Sequence, residues 1–468
     1  MDKEEIKEAL YNRYIAPTLK DRDEFVGIEI EIPIVNLSGG ATDFKSIREA
    51  VNCFCHNFGF EFNAFDEDGN GYSATEPVTG DNLSFDCSFN NLEFSFAKEK
   101  NLTIINERFN LYISALNEKL ERKGHLLTGM GINPGYKVNN NEFLKVPRYQ
   151  MLEGFLKRSK KWEYPMYFHP YPGYGAFACA SQVQLDVRYD KLIETIDTFS
   201  LLEPIKSVLF ANSWMEEEPD NLCVRDMFWE NSTHGINPHN IGVYEKIPDD
   251  INELLEYIYR TSIFCTQRDG HYLHFHPVPV TEYFSQKEIR GEYYENGEYH
   301  PYMFVPEESD LSFLRTYKFE DLTFRGTIEY RSGCCQPFSD AMSIAAFHIG
   351  LSEKLDEVNE LLLNDTVLYH HGYTSGELRK IMNKKELPDF IDKNELKKLC
   401  VQVLEIAKAG LKERDYGEEI FIEPIFERAE SLINPAREVA EGLKNGKTME
   451  DFIYKFSKLA PRKRLACI

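Results

Sequence analysis

The sequence lacks the short motifs that mark most zinc, nucleotide and hydrolase sites. None of the ten cysteines has CxxC spacing and no histidine pair has HExxH spacing, so the usual zinc patterns are excluded. GxGxxG and GxxxxGKS/T loops are absent, as is a GxSxG elbow. The sequence therefore indicates neither a Rossmann dinucleotide site, nor a P-loop, nor an α/β-hydrolase.

Basic residues and long apolar runs are also scarce. The 53 Lys and Arg residues face 77 Asp and Glu residues, a net charge of −24. This argues against nucleic-acid binding, which needs a basic face, but allows a phosphorylated ligand held with metal ions. No apolar run approaches the roughly 20 residues of a membrane span, and the charged start predicts no signal peptide. Scattered cysteines are typical of reduced thiols, so we expect a cytoplasmic protein without a membrane partner.

What the sequence does have is an acidic strand pattern near its start. Between Gly27 and Val35, Glu29 and Glu31 alternate with isoleucines. A strand sends alternate side chains to opposite faces, so both carboxylates should project from one face. Two adjacent carboxylates repel each other unless a cation neutralises them, and a hard divalent ion suits oxygen ligands.

Further acidic residues can be interpreted in the same way. Glu329 and Arg331 alternate within the strand-like segment 322–331, so they should share a face. Asp86 and Glu93 flank a Ser- and Asn-rich bend, and Glu93 stands between two apolar residues. Alone, Glu93 would be interpreted as a surface residue. Beside the other acids it becomes a fourth inward carboxylate, and we expect Glu29, Asp86, Glu93 and Glu329 to converge around a hard divalent cation.

Two middle segments are less specific. Gln182 and Gln184 share one face of a strand-like run, although a half-solvated strand would look the same. Arg225 lies close to aromatic residues that include Trp229. That arrangement suits a carboxylate pocket, but arginine and aromatic residues also pair in ordinary packing.

In this order the segments resemble the glutamate–cysteine ligase family, which uses ATP to join the γ-carboxylate of glutamate to the amine of cysteine. The matching stretch runs from about Phe25 to Ser352, and its most specific parts are Gly27–Glu31 and Ile328–Ser332. The resemblance implies an α+β fold. It places a glutamine-synthetase-like catalytic region in residues 1–352, with a curved antiparallel sheet backed by helices, and a helical C-terminal region in residues 353–468 packed on it.

The resemblance also implies the ligands and the reaction. Mg²⁺ would be bound by Glu29, Glu31, Asp86, Glu93 and Glu329. Arg331 would contact the transferring phosphoryl group and act in catalysis with Glu329, while substrates would be bound by Gln182, Gln184, Arg225 and Trp229. A carboxylate is a poor acyl donor, so ATP would first phosphorylate glutamate and the amine would then displace phosphate. Such a reaction depends on positioning and on charge stabilisation, without a nucleophilic side chain.

The chain departs from its relatives at a few positions. Some relatives have a histidine where this chain has Gln182, and most have small or acidic residues in place of Cys334 and Cys335. These differences leave other functions open: a ligase of the same fold acting on a different acid or amine, a phosphotransferase that stops at the phosphorylated product, and a non-catalytic binding protein. The presence of the carboxylates and Arg331 argues against the last.

Overall fold

The computed structural model describes residues 1–21, 23–161 and 166–460. Its strands are β1 Val26–Asn36, β2 Glu61–Phe65, β3 Gly71–Thr75, β4 Asn82–Phe85, β5 Asn91–Glu99, β6 His125–Leu127, β7 Ser181–Asp186, β8 Ile241–Gly242, β9 Ser262–Arg268, β10 His271–Pro279, β11 Ile289–Glu295, β12 Glu298–Phe304, β13 Tyr317–Lys318, β14 Glu320–Leu322 and β15 Thr327–Tyr330. Its α-helices are α1 Lys3–Leu10, α2 Phe44–Phe58, α3 Leu102–Glu121, α4 Pro147–Lys157, α5 Leu192–Phe210, α6 Val224–Glu230, α7 Ile251–Tyr259, α8 Val280–Tyr283, α9 Ser343–Glu353, α10 Leu355–Leu363, α11 Ser375–Met382, α12 Lys393–Glu413, α13 Glu423–Ser431, α14 Pro435–Lys444 and α15 Met449–Phe456.

The largest sheet has nine strands in the order β14-β15-β7-β1-β5-β4-β3-β2, with β6 also pairing with β1. All of these pairings are antiparallel. Strands β9 to β12 form a second antiparallel sheet. The predicted α+β class, with an antiparallel sheet backed by helices, is confirmed.

The apolar face of the large sheet packs on helices. Phe94 of β5 stacks on Tyr112 of α3 with ring centroids 5.5 Å apart, and Tyr330 of β15 contacts Phe199 of α5 at 4.6 Å. The isoleucines at the centre of β1 are buried on the same side: Ile28, Ile30 and Ile32. Because side chains alternate along a strand, the residues between them face the opposite side of the sheet.

Helices α9 to α13 join this core, whereas α14 and α15 contribute to smaller apolar clusters. Buried residues from Ile6 to Ala429 form one continuous apolar cluster. The predicted division at residue 352 falls near the end of α9 and stays a prediction, and residues 461–468 of the predicted C-terminal region lie outside the described residues. No helix in the described part of the chain is both long and apolar enough to span a membrane.

Helices α9 and α12 cross at two glycines. A Cβ atom on Gly350 would overlap the carbonyl group of Ala407, and one on Gly410 would overlap the carbonyl oxygen of Gly350. We expect Gly350→Ala to lower the free energy of unfolding by about 1–3 kcal/mol, because the backbones cannot separate without loosening the core. Gly376→Ala is the control, since its Cβ would lie 3.7 Å from the nearest atom. Thermal unfolding measures both, and equal melting temperatures would contradict the prediction.

Three sequence expectations need correction. The charged pattern of residues 1–24 predicts one helix, but after α1 the chain changes into π-helical and 3-10 turns ending at Leu19, because Pro17 lacks the backbone N–H that an α-helix requires. The apolar period of residues 101–123 predicts an amphipathic helix with Ile104 and Leu111 on or near its apolar stripe, but in α3 these side chains are 42% and 46% exposed. The segment 322–331 is a turn leading from β14 into β15 rather than one strand, with Gly326 at φ +76°.

Candidate active site

The polar face of the large sheet gathers the acidic residues. In the strand register Glu29 is opposite both Ser95 and Gln182, and Glu31 is opposite Glu93. Glu329 is opposite Gln184 on the next strand pair. Directly opposed residues share a face, so the side chains project together. They form the floor of a cavity of about 800 Å³, lined by Glu29, Glu31, Asp86, Glu93, Gln182, Arg225, Trp229, Glu329 and Arg331.

Three carboxylates meet at one end of this floor. One oxygen each from Glu31, Asp86 and Glu93 lies within 4.8 Å of the other two. Glu31 is fixed by the backbone N–H of Ala180 at 2.7 Å and by Gln182 Nε2 at 3.1 Å. The hydroxyl group of Ser95 donates to Glu93 Oε1 at 2.7 Å.

A strained turn brings Asp86 back over Glu93. Cys87 follows Asp86 with φ +55°, a left-handed conformation that costs roughly 1–2 kcal/mol for a residue other than glycine. Its carbonyl accepts from the backbone N–H of Leu144 at 2.8 Å. The surrounding contacts therefore maintain a turn that places both carboxylates in the cavity.

A pair of carboxylates, Glu29 and Glu329, lies beside this group of three. Gln184 Nε2 donates to Glu29 Oε1 at 3.3 Å and to Glu329 Oε1 at 3.2 Å. Arg331 Nη1 donates to the other oxygen of Glu329, and the guanidinium lies 5.5 Å from the ring centroid of Tyr317. Gln184 thus joins the two acids from within the sheet, while Arg331 presents a cation at the cavity.

The carboxylates perturb one another. Burial, followed by repulsion from neighbouring acids, raises the pKa of Glu29 and of Asp86 to about 7. The same causes hold the pKa of Glu93 well above its usual value. Burial also raises the pKa of Glu31, although nearby Arg225 opposes the shift. A bound divalent cation would neutralise the repulsion among these closely spaced carboxylates. The residues therefore fit Mg²⁺.

Helix α6 supplies the two further predicted residues. Arg225 is buried, and its Nη1 donates to the carbonyl of Gly333 at 2.9 Å and to that of Ser332 at 3.4 Å. The ring of Trp229 stacks on Tyr317 at 4.6 Å. Arg225 therefore also holds the segment after Arg331, which the sequence pattern did not predict.

Sequence reasoning missed other residues of the cavity wall. Asp321 of β14 is opposite Glu329, and burial raises its pKa to about 7 although Arg331 opposes the shift. Adjacent Glu320 is instead fully buried near Ser200 and Lys206, so sequence alone could not show which acid of the pair faces the cavity.

Helix α4 contributes a tyrosine that belongs to no motif. The hydroxyl group of Tyr149 lies 3.5 Å from Asp86 Oδ1, and Arg148 beside it lines the same cavity. A larger cavity of about 1010 Å³ lies on the opposite face of the sheet, over Leu185, Ile328 and Tyr330. None of the ten predicted site residues lines it, so the smaller cavity is the candidate active site.

Comparison with known proteins agrees with the resemblance found in the sequence. No family model matches the chain. The chloroplastic glutamate–cysteine ligase of Nicotiana tabacum is 22% identical over 343 residues, 71% of this chain and 60% of the relative. That of Brassica juncea is 22% identical over 344 residues, 71% and 61% of the two chains. The chain is a distant homologue of the glutamate–cysteine ligases.

This homology confirms the predicted relationship to the glutamate–cysteine ligases, a family of ATP-dependent carboxylate–amine ligases. The chain spans about 60% of the length of the relatives it matches. Among solved structures, the glutamate–cysteine ligase of Francisella tularensis in complex with AMP aligns over 94% of this chain and 88% of its own. Its TM-score is 0.46 and its sequence identity 12%.

Proposed function

We propose that the protein is an ATP- and Mg²⁺-dependent ligase that joins the γ-carboxylate of L-glutamate to the amine of L-cysteine. The observation that carries the proposal is the shared cavity, in which two groups of carboxylates and Arg331 lie on one sheet face. The homology to glutamate–cysteine ligases supports it.

The carboxylates have distinct roles in this scheme. Glu31, Asp86 and Glu93 would hold Mg²⁺, and Glu29 with Glu329 would hold a further ion. When bound, Mg²⁺ would neutralise charge on the phosphates of ATP. Gln184 keeps Glu29 and Glu329 oriented through its two hydrogen bonds. Arg331 donates to the oxygens of the transferring phosphoryl group, where negative charge is spread during transfer.

Arg225 is suited to bind the carboxylate substrate. Among the described residues its guanidinium uses only Nη1 for hydrogen bonds, which leaves Nε and Nη2 for an anion. Trp229 and Tyr317 form an aromatic wall near it. Such a wall excludes water, and an acyl phosphate that is kept from water survives until the amine attacks.

Oxygen-18 tests the reaction. The γ-carboxylate oxygen of glutamate attacks the γ-phosphorus of ATP and ADP leaves; the amine then attacks the γ-carbon, loses a proton and releases phosphate. We therefore expect label from the side-chain carboxylate of glutamate in the released phosphate, together with γ-glutamylcysteine, both read by mass spectrometry. Unlabelled phosphate from every amine, despite ATP hydrolysis, would rule out the ligase reaction.

A different amine is the second candidate. The cavity also has an apolar section, lined by Met151, Leu156, Phe264, Tyr272 and Phe313, which favours a larger apolar amine than cysteine. The same assay with a panel of amines separates the two. Labelled phosphate with a larger amine but not with cysteine would keep the mechanism and replace the second substrate.

A further inference from the structure

A buried arginine of the C-terminal helices is connected to the active site through hydrogen-bonded neighbours. Arg379 of α11 is 3% exposed. Its Nε and Nη2 donate to the two carboxylate oxygens of Asp226 at 2.7 and 3.1 Å. Its Nη1 donates to Glu203 Oε2 at 2.6 Å. One guanidinium thus joins helices α5, α6 and α11.

Both acceptors are connected to residues of the cavity. Asp226 directly follows Arg225 in α6, one turn before Trp229. Glu203 Oε1 accepts from the hydroxyl group of Ser332 at 2.9 Å, and Ser332 directly follows Arg331. The segment after β15 and helix α6 therefore meet around Arg379.

We propose that Arg379 is a positioning residue for the active site, which fixes α6 relative to the segment that carries Arg331. The inference rests on the proposed function and extends the site to the C-terminal helices. The planar fork binds Asp226 with two N–H groups while a third binds Glu203, and an ammonium group cannot reproduce that geometry. Loss of the fork would let Arg225 and Trp229 shift relative to Arg331, and a displacement of about 1 Å can lower a rate by about 10²-fold.

Arg379→Lys is the main test. We expect kcat per folded molecule to fall by about 10- to 100-fold, and KM for the carboxylate substrate to rise because Arg225 moves with α6. Arg414→Lys is the matched control. Arg414 also forms ion pairs with two glutamates, Glu353 at 3.0 Å and Glu418 at 2.8 Å, but it does not line the site cavity. Its kcat and KM should stay unchanged.

Chemical rescue separates positioning from a general loss of stability. Guanidinium ion at low, non-denaturing concentration should restore part of the activity of Arg379→Ala, whereas sodium chloride of equal ionic strength should not. If Arg379→Ala does not fold, Asp226→Asn serves as the second variant. It retains one acceptor and the volume of the side chain, and it should show the same rise in KM.

Hydrogen exchange gives a readout that needs no turnover. In Arg379→Lys the amides of residues 224–230 and 331–334 should exchange faster than in the wild type, while Arg414→Lys leaves them unchanged. If the wild type shows no ligase turnover, the proposed function fails and hydrogen exchange still decides the role of Arg379. Unchanged exchange in both segments, or unchanged kcat and KM in folded Arg379→Lys, would overturn the inference.

Discussion

Replacing Arg331 with lysine is expected to lower turnover by about 10³-fold or more with the fold intact. Arg331 bonds to Glu329 at the cavity and lies against Tyr317, so a lysine would keep the charge but lose the planar fork. The oxygens of a transferring phosphoryl group need several donors at once, and arginines that serve such transfers contribute factors of about 10³–10⁵. The measurement is steady-state ATP turnover with glutamate and the amine.

Arg268→Lys is the control for that experiment. Arg268 forms a similar pair with Asp310, at 2.7 and 2.8 Å, but does not line the site cavity. It should lower stability, because lysine cannot bind both oxygens of buried Asp310, but it should leave turnover per folded molecule unchanged. Near-normal turnover in Arg331→Lys would assign Arg331 to packing and remove the phosphoryl-transfer role from the proposal.

The acidic face could be predicted because it depends on a local period. Alternation with isoleucines decides which way Glu29 and Glu31 point, since burying the isoleucines is far more favourable than burying the acids. The same reasoning applies to Glu93 and to the pair Glu329 and Arg331. Once the apolar residues of each strand decide which face is buried, few alternatives are left for the positions of these polar side chains.

The contacts that hold the face together could not be predicted in this way. Arg379 lies 153 residues from Asp226, and no local pattern links an arginine of an amphipathic helix to a distant aspartate. The exposed or buried state of adjacent Glu320 and Asp321 likewise depends on which helix covers β14. Such placements follow from tertiary packing, so they cannot be predicted from local patterns in a single sequence.

The second large effect concerns the three converging carboxylates. We expect Glu93→Gln to lower turnover by at least about 10²-fold while raising the melting temperature of the metal-free protein. Glutamine keeps the shape and can still accept from Ser95, but it removes a carboxyl group whose ionised form is disfavoured by burial and by repulsion from Asp86, Glu29 and Glu31. Removing one repelling partner from a buried cluster relieves the others, whereas removing a carboxylate from a magnesium site weakens binding of the ion.

Glu99→Gln is the matched control, on the same strand and with the same change. Glu99 pairs with Arg108 at 2.9 Å and does not line the cavity. We expect a slightly lower melting temperature and unchanged turnover. Opposite signs of the stability change in two Glu→Gln variants of β5 would show that the cavity carboxylates cost stability in the metal-free protein.

Both Mg²⁺ and pH are expected to change the stability of the protein. Mg²⁺ should raise the melting temperature of the wild type, by an amount equivalent to about 2.7 kcal/mol for one site at 100 times Kd. It should stabilise Glu93→Gln less, because only the site at Glu29 and Glu329 is then intact. The pKa values of Glu29 and Asp86 are raised to about 7 in the folded protein. Their contribution to stability is therefore complete at low pH and is lost as the pH rises through about 7.

The metal-free wild type should accordingly lose stability as the pH rises from about 4.5 towards and past 7. Glu93→Gln should lose less, because Asp86 and Glu29 then ionise next to one fewer carboxylate. Calorimetry with and without Mg²⁺ across this range measures both slopes. If Mg²⁺ stabilises Glu93→Gln as much as the wild type, and the metal-free variant melts at a lower temperature, the three carboxylates are not a metal site. The acidic face of the sheet would then need another explanation.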